Sequence, residues 1–199
     1  MRLIAAFSII PAASLLIAAQ SAQAARRDEV HPCIAHHPPA VRLQLSGVDA
    51  TLVFSPRGGA EKLIVQAIDA AQHSILVQAY SFTDRHIFDA LGRAQQRGVD
   101  VEVILDKSDT QPYHGWPSVA SRLLGMHIPV WIDDTLETAH NKVMALDGSA
   151  VITGSFNFTY AAEYRNAENL LYLRNARKLA QAYVRDWEWR RNCSRRYQG

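Results

Sequence analysis

The stretch HNKVMALDGSAVITGSFN, residues 140–157, decides the fold class that we predict. Its segments 141–146 and 149–153 are apolar and strand-like. Between them stands Asp147-Gly148, a two-residue sequence that strongly favours a tight hairpin turn. This part of the chain is therefore predicted to contribute antiparallel strands to a sheet.

Before the hairpin, the sequence alternates between strand and helix patterns. Strand-like runs lie at residues 50–54, 74–79, 99–105 and 128–132, and helical spacing at 60–71, 83–97 and 118–124. Such alternation with short connections implies parallel strands with helices packed on both faces. With a strand at 169–173 and a closing helix at 176–190, we predict an α/β fold, a three-layer α/β/α sandwich with a mixed, largely parallel sheet.

The first residues indicate export. A mostly apolar run at 3–19 follows Arg2, and Ala22-Gln23-Ala24 is a small-x-small cleavage site before charged residues. This pattern is typical of a secretory signal peptide, with an uncleaved N-terminal anchor as the alternative. We predict cleavage near Ala24 and a periplasmic or secreted product. The predicted parts are a signal peptide, 1–24, an irregular N-terminal arm, 25–48, and one domain, 49–199.

Charge and cysteine content restrict the remaining choices. The formal net charge of +2 gives little indication of a polyanionic partner. Cys33 and Cys193 are the two cysteines, and an even pair in an exported protein predicts an intramolecular disulfide. Cys33 with His36 and His37 could imitate a metal site, but prolines flank the segment and no further ligand follows nearby. We therefore predict no metal site.

His140 and Lys142 stand two positions apart, so in a strand both side chains leave the same face. A neutral imidazole can attack phosphorus while a fixed ammonium stabilises charge on the phosphate oxygens. Just after the hairpin, the Ser155 hydroxyl and the Asn157 amide can donate to the same oxygens, and Gly154 permits close backbone approach. This set of side chains suits phosphoryl transfer.

The spacing of His140-Asn141-Lys142, Asp147 and Gly154-Ser155-Phe156-Asn157 resembles the full signature of the phospholipase D superfamily. Over roughly residues 48–192 the chain is similar to small single-motif bacterial endonucleases of the Nuc type, including the segment 166–171. The resemblance implies a phospholipase D-like fold for the domain 49–199, and a catalytic domain that hydrolyses phosphodiesters.

The resemblance also implies roles for individual residues. His140 would be the nucleophile and form a phosphohistidine, while Lys142, Ser155 and Asn157 would hold the substrate phosphate. Glu168 would accept a hydrogen bond from the histidine ring and fix its tautomer.

Asp147 also belongs to the signature and is a catalytic candidate, although turn chemistry alone explains an aspartate before glycine.

The mechanism needs a second group to protonate the leaving oxygen and later to activate water. Relatives with two motif copies supply it within one chain, whereas this chain has one copy. We therefore expect a two-fold homodimer with a shared active site, in which one His140 attacks and the other acts as general acid. No metal or cofactor is expected.

The predicted function is a secreted endonuclease without sequence specificity that hydrolyses DNA, with RNA as a further substrate. The alternatives are a phospholipase D that hydrolyses phospholipid head groups, and a binding module on an inactive scaffold. The loop 107–117 carries Tyr113 and Trp116, which we expect near substrate. No amphipathic segment suggests stable membrane insertion.

Overall fold

The computed structural model describes residues 38–112 and 115–199. The predicted signal peptide, most of the predicted arm, Cys33, Tyr113 and His114 lie outside the described residues. Residues 38–48, the part of the predicted arm that is described, contain neither helix nor strand.

Eight strands and five helices follow in chain order within the described part. The strands are β1 (Asp49–Phe54), β2 (Ser74–Ala79), β3 (Asp100–Asp106), β4 (Val130–Asp133), β5 (Lys142–Leu146), β6 (Ala150–Gly154), β7 (Asn169–Arg174) and β8 (Arg195–Arg196). The helices are α1 (Ala60–Ala70), α2 (Arg85–Gln96), α3 (Val119–Gly125), α4 (Tyr160–Tyr164) and α5 (Arg177–Cys193), with a short 3-10 helix at Lys107–Thr110.

All eight strands form one mixed sheet in the order β1-β7-β6-β5-β2-β3-β4-β8. The expectation of a largely parallel sheet is wrong in its balance: only the β2–β3 and β3–β4 pairings are parallel. The other five pairings are antiparallel. The helical connections make β2, β3 and β4 parallel as predicted, but β1 crosses to the far edge and pairs with β7 instead of β2.

Helices cover both faces of the sheet, so the predicted three layers are confirmed. Met144 belongs to the main core, which also contains residues of α1, α2 and α3. Its strand neighbour Val143 packs with Val151 and with Ala180 of α5 in a second cluster. Because neighbouring residues of a strand point to opposite faces, α5 lies on the face opposite α1, α2 and α3.

The closing helix α5 is anchored through its last turns. The indole of Trp187 is buried and donates to the carbonyl oxygen of Val77 over 2.9 Å. The buried guanidinium of Arg190 lies 2.6 Å from Asp133 at the end of β4. Trp187 and Arg190 therefore belong to the packing of the domain and are not available for binding nucleic acid.

Candidate active site

His140 and Lys142 meet at the end of β2. Lys142 begins β5 and pairs in register with Ala79, the last residue of β2. The residue is only 7% exposed, and its ammonium donates to the carbonyl oxygen of His140 over 2.7 Å. The side chain of His140 is exposed. The structure thus sets an accessible imidazole beside a cation that is largely withdrawn from water.

The ring of Tyr80 lies beside both side chains. Its centroid lies 4.5 Å from that of His140, and the Lys142 ammonium lies 4.9 Å from the same ring. Because β5 begins only at Lys142, the strand geometry expected for the pair does not extend to His140. Tyr80 is not among the site residues predicted from the sequence. Its position directly after a buried strand was the available indication, because ligands bind at the carboxyl ends of such strands.

Ser155 and Glu168 form the second part of the site. The Ser155 hydroxyl donates to Glu168 over 2.6 Å, and the Asn166 amide donates to the other carboxylate oxygen over 3.1 Å. Among the described residues, Glu168 has no hydrogen bond to the ring of His140. The contact expected between Glu168 and the imidazole is therefore not made here, and the carboxylate orients Ser155 instead.

The charge of Glu168 nevertheless acts on Lys142. Burial lowers the pKa of the Lys142 ammonium, because a cation is costly to withdraw from water, and the negative charge of Glu168 partly offsets this. Glu168 thus favours the charged form of Lys142. A charged, poorly hydrated ammonium is well suited to hold a phosphate.

Gly154 makes the approach to β7 possible. Its φ is 151°, and a Cβ at this position would overlap the carbonyl oxygen of Asn169. That carbonyl accepts hydrogen bonds from the backbone amides of Ser155 and Phe156. The side-chain oxygen of Asn157 is buried and has no hydrogen-bond partner within the described part of the chain, so this amide is not engaged by the protein through its oxygen.

Asp147 lies away from this site, contrary to its expected place among the catalytic residues. It occupies the β5–β6 turn with φ 50°, and the following Gly148 has φ 58°, as the predicted hairpin requires. Its carboxylate accepts hydrogen bonds from the backbone amides of Gln72, His73 and Ser74. Five residues along an extended strand separate it from Lys142, about 16 Å. Asp147 therefore ties the hairpin to the segment before β2.

Two buried carboxylates near the end of β3 were also missed. Asp106 accepts a 2.8 Å hydrogen bond from the backbone amide of Ala139, and so fixes the chain just before His140. Asp109 is buried, and one of its oxygens has no hydrogen-bond partner among the described residues. Burial, and then the charge of Asp106, raise the pKa of Asp109 to about 8. Burial of these carboxylates depends on tertiary packing and left no mark in the sequence.

One group of potential metal ligands occurs in the described part of the chain: Glu61, Asp84 and His86, whose ligand atoms lie within 4.8 Å of one another. None of these three residues belongs to the set around His140. Asp84 also caps α2, because its carboxylate accepts from the amides of His86 and Ile87.

Cys193, the last residue of α5, is disulfide-bonded. Because Cys33 lies outside the described residues, the pairing of these two cysteines stays a prediction. No helix between residues 38 and 199 of the described chain is long and apolar enough to cross a membrane.

The sequence of this chain is similar to those of known proteins. The sequence model of the family described as "Cardiolipin synthase, PLD-like domain" matches residues 64–190. The chain is 42% identical over 151 residues to a protein named phospholipase D from Rickettsia prowazekii, covering 76% of this chain and 72% of that one. It is 32% identical over 128 residues to a mitochondrial cardiolipin hydrolase of Drosophila melanogaster, over 54% of this chain and 49% of the relative.

The fold of this chain is also similar to that of a solved structure. The phospholipase D family member Nuc from Salmonella typhimurium superposes with a TM-score of 0.70 at 38% identity, covering 76% of this chain and 99% of Nuc.

Proposed function

The chain belongs to the phospholipase D superfamily and is a phosphodiesterase, and on that premise we propose that it is an endonuclease that cuts DNA without sequence specificity. The observation that carries the phosphodiester chemistry is the exposed His140 beside the ammonium of the buried Lys142. RNA is a further candidate substrate, because these groups would contact only the phosphodiester, which DNA and RNA share.

The reaction would proceed in two steps. A neutral ring nitrogen of His140 attacks the phosphorus, a nitrogen–phosphorus bond forms, and the bond to the leaving oxygen breaks as that oxygen takes a proton. Water then attacks the phosphohistidine and releases His140. The proton of that water passes to the general acid that had protonated the leaving oxygen. Lys142, Ser155 and Asn157 would hold the phosphate oxygens, which requires the Ser155 proton to turn from Glu168 to the substrate.

The choice of nucleic acid rests on the single motif copy and on the match to Nuc over 99% of its length. The sequence resembles the small single-motif endonucleases of that type. Since phosphate contacts would dominate binding, affinity for DNA should fall steeply with salt and depend little on sequence.

Hydrolysis of phospholipid head groups is the second candidate. It is favoured by the 42% identity to the Rickettsia protein named phospholipase D, which extends over 72% of that relative. The same histidine and lysine would serve a lipid phosphodiester equally well. Substrate size and binding surface, not the reacting groups, would distinguish the two activities.

We infer that the general acid is the His140 of a second copy in a two-fold homodimer. Leu52 and Phe54 of the edge strand β1 are 55% and 64% exposed. Phe54 directly precedes Ser55, whose hydroxyl contacts Asn166 and Glu168. An apolar surface thus borders the site, and a second copy seated on it would bring two sites together.

The proposal extends to the compartment in which the protein works. We propose that the signal peptide is cleaved near Ala24, that the product is periplasmic or secreted, and that Cys33 bonds to Cys193 there. In such a compartment the disulfide would persist. Mass spectrometry of the exported protein tests both the cleavage site and the bridge, and two free thiols would contradict the pairing.

The deciding experiment is incubation of the purified protein with plasmid DNA, RNA and phosphatidylcholine vesicles, with His140→Ala as the control. We expect DNA cleavage that the control lacks. Choline release from vesicles without DNA cleavage would reverse the order of the two candidates. For the dimer, heterodimers of wild-type and His140→Ala subunits should be far below half activity, and Phe54→Asp should yield inactive monomers. Half activity in the heterodimer would contradict a shared site.

A further inference from the structure

A cavity of about 490 Å³ opens beside the start of α2 and α3. Its lining combines an indole, two guanidinium groups and small neutral residues: Thr83, Arg85, Trp116, Pro117, Val119 and Arg122. This volume falls in the range of sites that bind small organic molecules. None of the site residues around His140 lines it.

Trp116 is the exceptional residue of this cavity. Its side chain is 71% exposed, the largest exposure among the large apolar residues of the described chain. It has no aromatic ring partner among the described residues, unlike Trp131 and Trp187, which pack edge to face. An indole left open to solvent beside a cavity offers a flat apolar surface on which a ring can stack.

The cationic groups of the cavity are available for an anion. Arg122 stands over the ring of Phe88 with its guanidinium carbon 4.2 Å from the centroid, and it forms no ion pair with any described carboxylate. The ring therefore fixes the position of Arg122 while its charge stays uncompensated. Arg85 pairs with Asp89 over 3.6 Å, but both side chains are well exposed, at 84% and 47%, so this contact holds Arg85 weakly.

The cavity lies close to the reacting groups. Thr83 follows Tyr80 by three residues, a span of at most about 11 Å, and Tyr80 stacks near His140. The Thr83 amide also donates to the carbonyl oxygen of Phe158, the residue after Asn157. A stacked strand advances roughly 3.4 Å per nucleotide, so one strand could reach from the phosphate at His140 to the cavity within a few nucleotides.

We propose that this cavity is a nucleotide subsite, in which Trp116 stacks on a base a few nucleotides from the scissile phosphate while Arg122 and Arg85 contact neighbouring phosphates. The inference rests on the proposed nuclease function and deepens it. A flat exposed indole in the same cavity as two cations matches a single strand, which offers rings and phosphates in alternation. Because stacking tolerates every base, the subsite would add affinity without sequence specificity.

The test measures binding of a labelled single-stranded DNA 12-mer to the full-length protein carrying His140→Ala, which cannot cut it. We expect Trp116→Ala to weaken binding by about tenfold to a hundredfold and Trp116→Phe to restore most of it. In the His140→Ala protein with Trp116 intact, an abasic residue at one position near the scissile phosphate should weaken binding similarly. With Trp116→Ala, that abasic residue should have no additional effect. Unchanged thermal melting shows that the exposed substitution leaves the fold intact.

The arginines are tested by salt dependence. Arg122→Gln should reduce the slope of log affinity against log salt by about 0.7, the value for one phosphate contact of a single strand. Arg177→Gln is the matched control. Arg177 begins α5 next to the β5–β6 turn and does not line the cavity, so the substitution should leave the slope unchanged.

The possible failures are distinguishable. If the protein with His140 intact cuts DNA but Trp116→Ala binds it as tightly as the parent, the subsite is wrong and the nuclease function stands. If no nucleic acid is bound or cut, the proposed function itself fails. If Trp116→Ala weakens binding to phosphatidylcholine vesicles and not to DNA, the cavity serves lipid and the inference is overturned.

Discussion

The hydroxyl of Ser155 donates a 2.6 Å hydrogen bond to Glu168, and this contact connects the end of the motif at residues 140–157 with the segment 166–171. It places the carboxylate on the serine, although the family resemblance implied a bond to the imidazole. The negative charge also raises the pKa of Lys142 against the effect of burial. Glu168 therefore acts on Ser155 and Lys142, and its removal should change the pKa of Lys142.

We expect Glu168→Gln to lower the pKa of Lys142, because the substitution removes the charge that favours the ammonium while burial remains. Lys142 would then lose its proton at lower pH, and the alkaline limb of the kcat/KM profile should move to lower pH. Glu188→Gln, an exposed substitution on α5, is the control. A limb that stays in place or moves to higher pH would show that Glu168 does not act through Lys142.

His140→Ala should reduce turnover by more than about 10³-fold, because it removes the nucleophile. The fold should persist, since the side chain is exposed and its loss leaves no internal cavity. Wild-type protein quenched with denaturant at alkaline pH, where the nitrogen–phosphorus bond survives, should yield a covalent histidine adduct with labelled substrate, and the variant should yield none. Retention of full activity by a folded variant would refute the assignment.

Asp147→Ala should lower the free energy of unfolding by about 1–3 kcal/mol at pH 7, as expected when amide donors lose a charged acceptor. Burial opposes ionisation, but hydrogen bonds from Ser74, Gln72 and His73 outweigh it and lower the pKa of Asp147. This stability is present above the unfolded pKa and is lost as the pH falls through the folded one. Urea unfolding at pH 7 and pH 3 should therefore show a shrinking difference.

Asp147→Asn is the control for this prediction, because it tolerates the positive φ and keeps one acceptor oxygen. Its effect on stability should be smaller than that of alanine. A loss of kcat/KM in folded Asp147→Asn would return Asp147 to the catalytic residues.

Asp109→Asn should stabilise the protein at alkaline pH. The pKa of Asp109 is raised to about 8, so the folded state keeps a proton that the unfolded state releases near pH 4. The contribution of protonated Asp109 to the free energy of unfolding is fully present below pH 4 and is lost as the pH rises to about 8. Asparagine does not ionise and avoids this cost. At pH 8 the free energy of unfolding of the variant should therefore exceed that of the wild type by at least about 1.4 kcal/mol, the equivalent of one pKa unit. Equal stability of both proteins at pH 8 would contradict the buried acid.

Catalysis should continue in the presence of a chelator. A histidine nucleophile needs no metal-activated water, and Lys142 supplies the positive charge. DNA cleavage rates with EDTA and with added magnesium should agree within about twofold. If EDTA abolishes cleavage and magnesium restores it, the proposed mechanism is wrong, and the Glu61–Asp84–His86 group becomes the first candidate for the ion.

The sequence determined the local elements well, because hydrophobic periodicity and turn chemistry act over a few residues. The Asp147-Gly148 turn was predicted from backbone preference alone, and the structure has both residues at positive φ. The motif spacing likewise indicated the family, since its residues lie within and directly beside one hairpin, β5–β6, in a single short stretch of the chain.

Only the tertiary structure decided which elements meet. Periodicity assigns β1 a strand but cannot say that it pairs antiparallel with β7, because strand partners are chosen by long-range packing. The same holds for the site. Tyr80 approaches His140, and Glu168 bonds Ser155 and not the imidazole, because separate strands end at one edge of the sheet. Asp147 instead lies at the other end of β5, where its carboxylate accepts hydrogen bonds from three backbone amides. Its place in the motif could not reveal this tertiary contact.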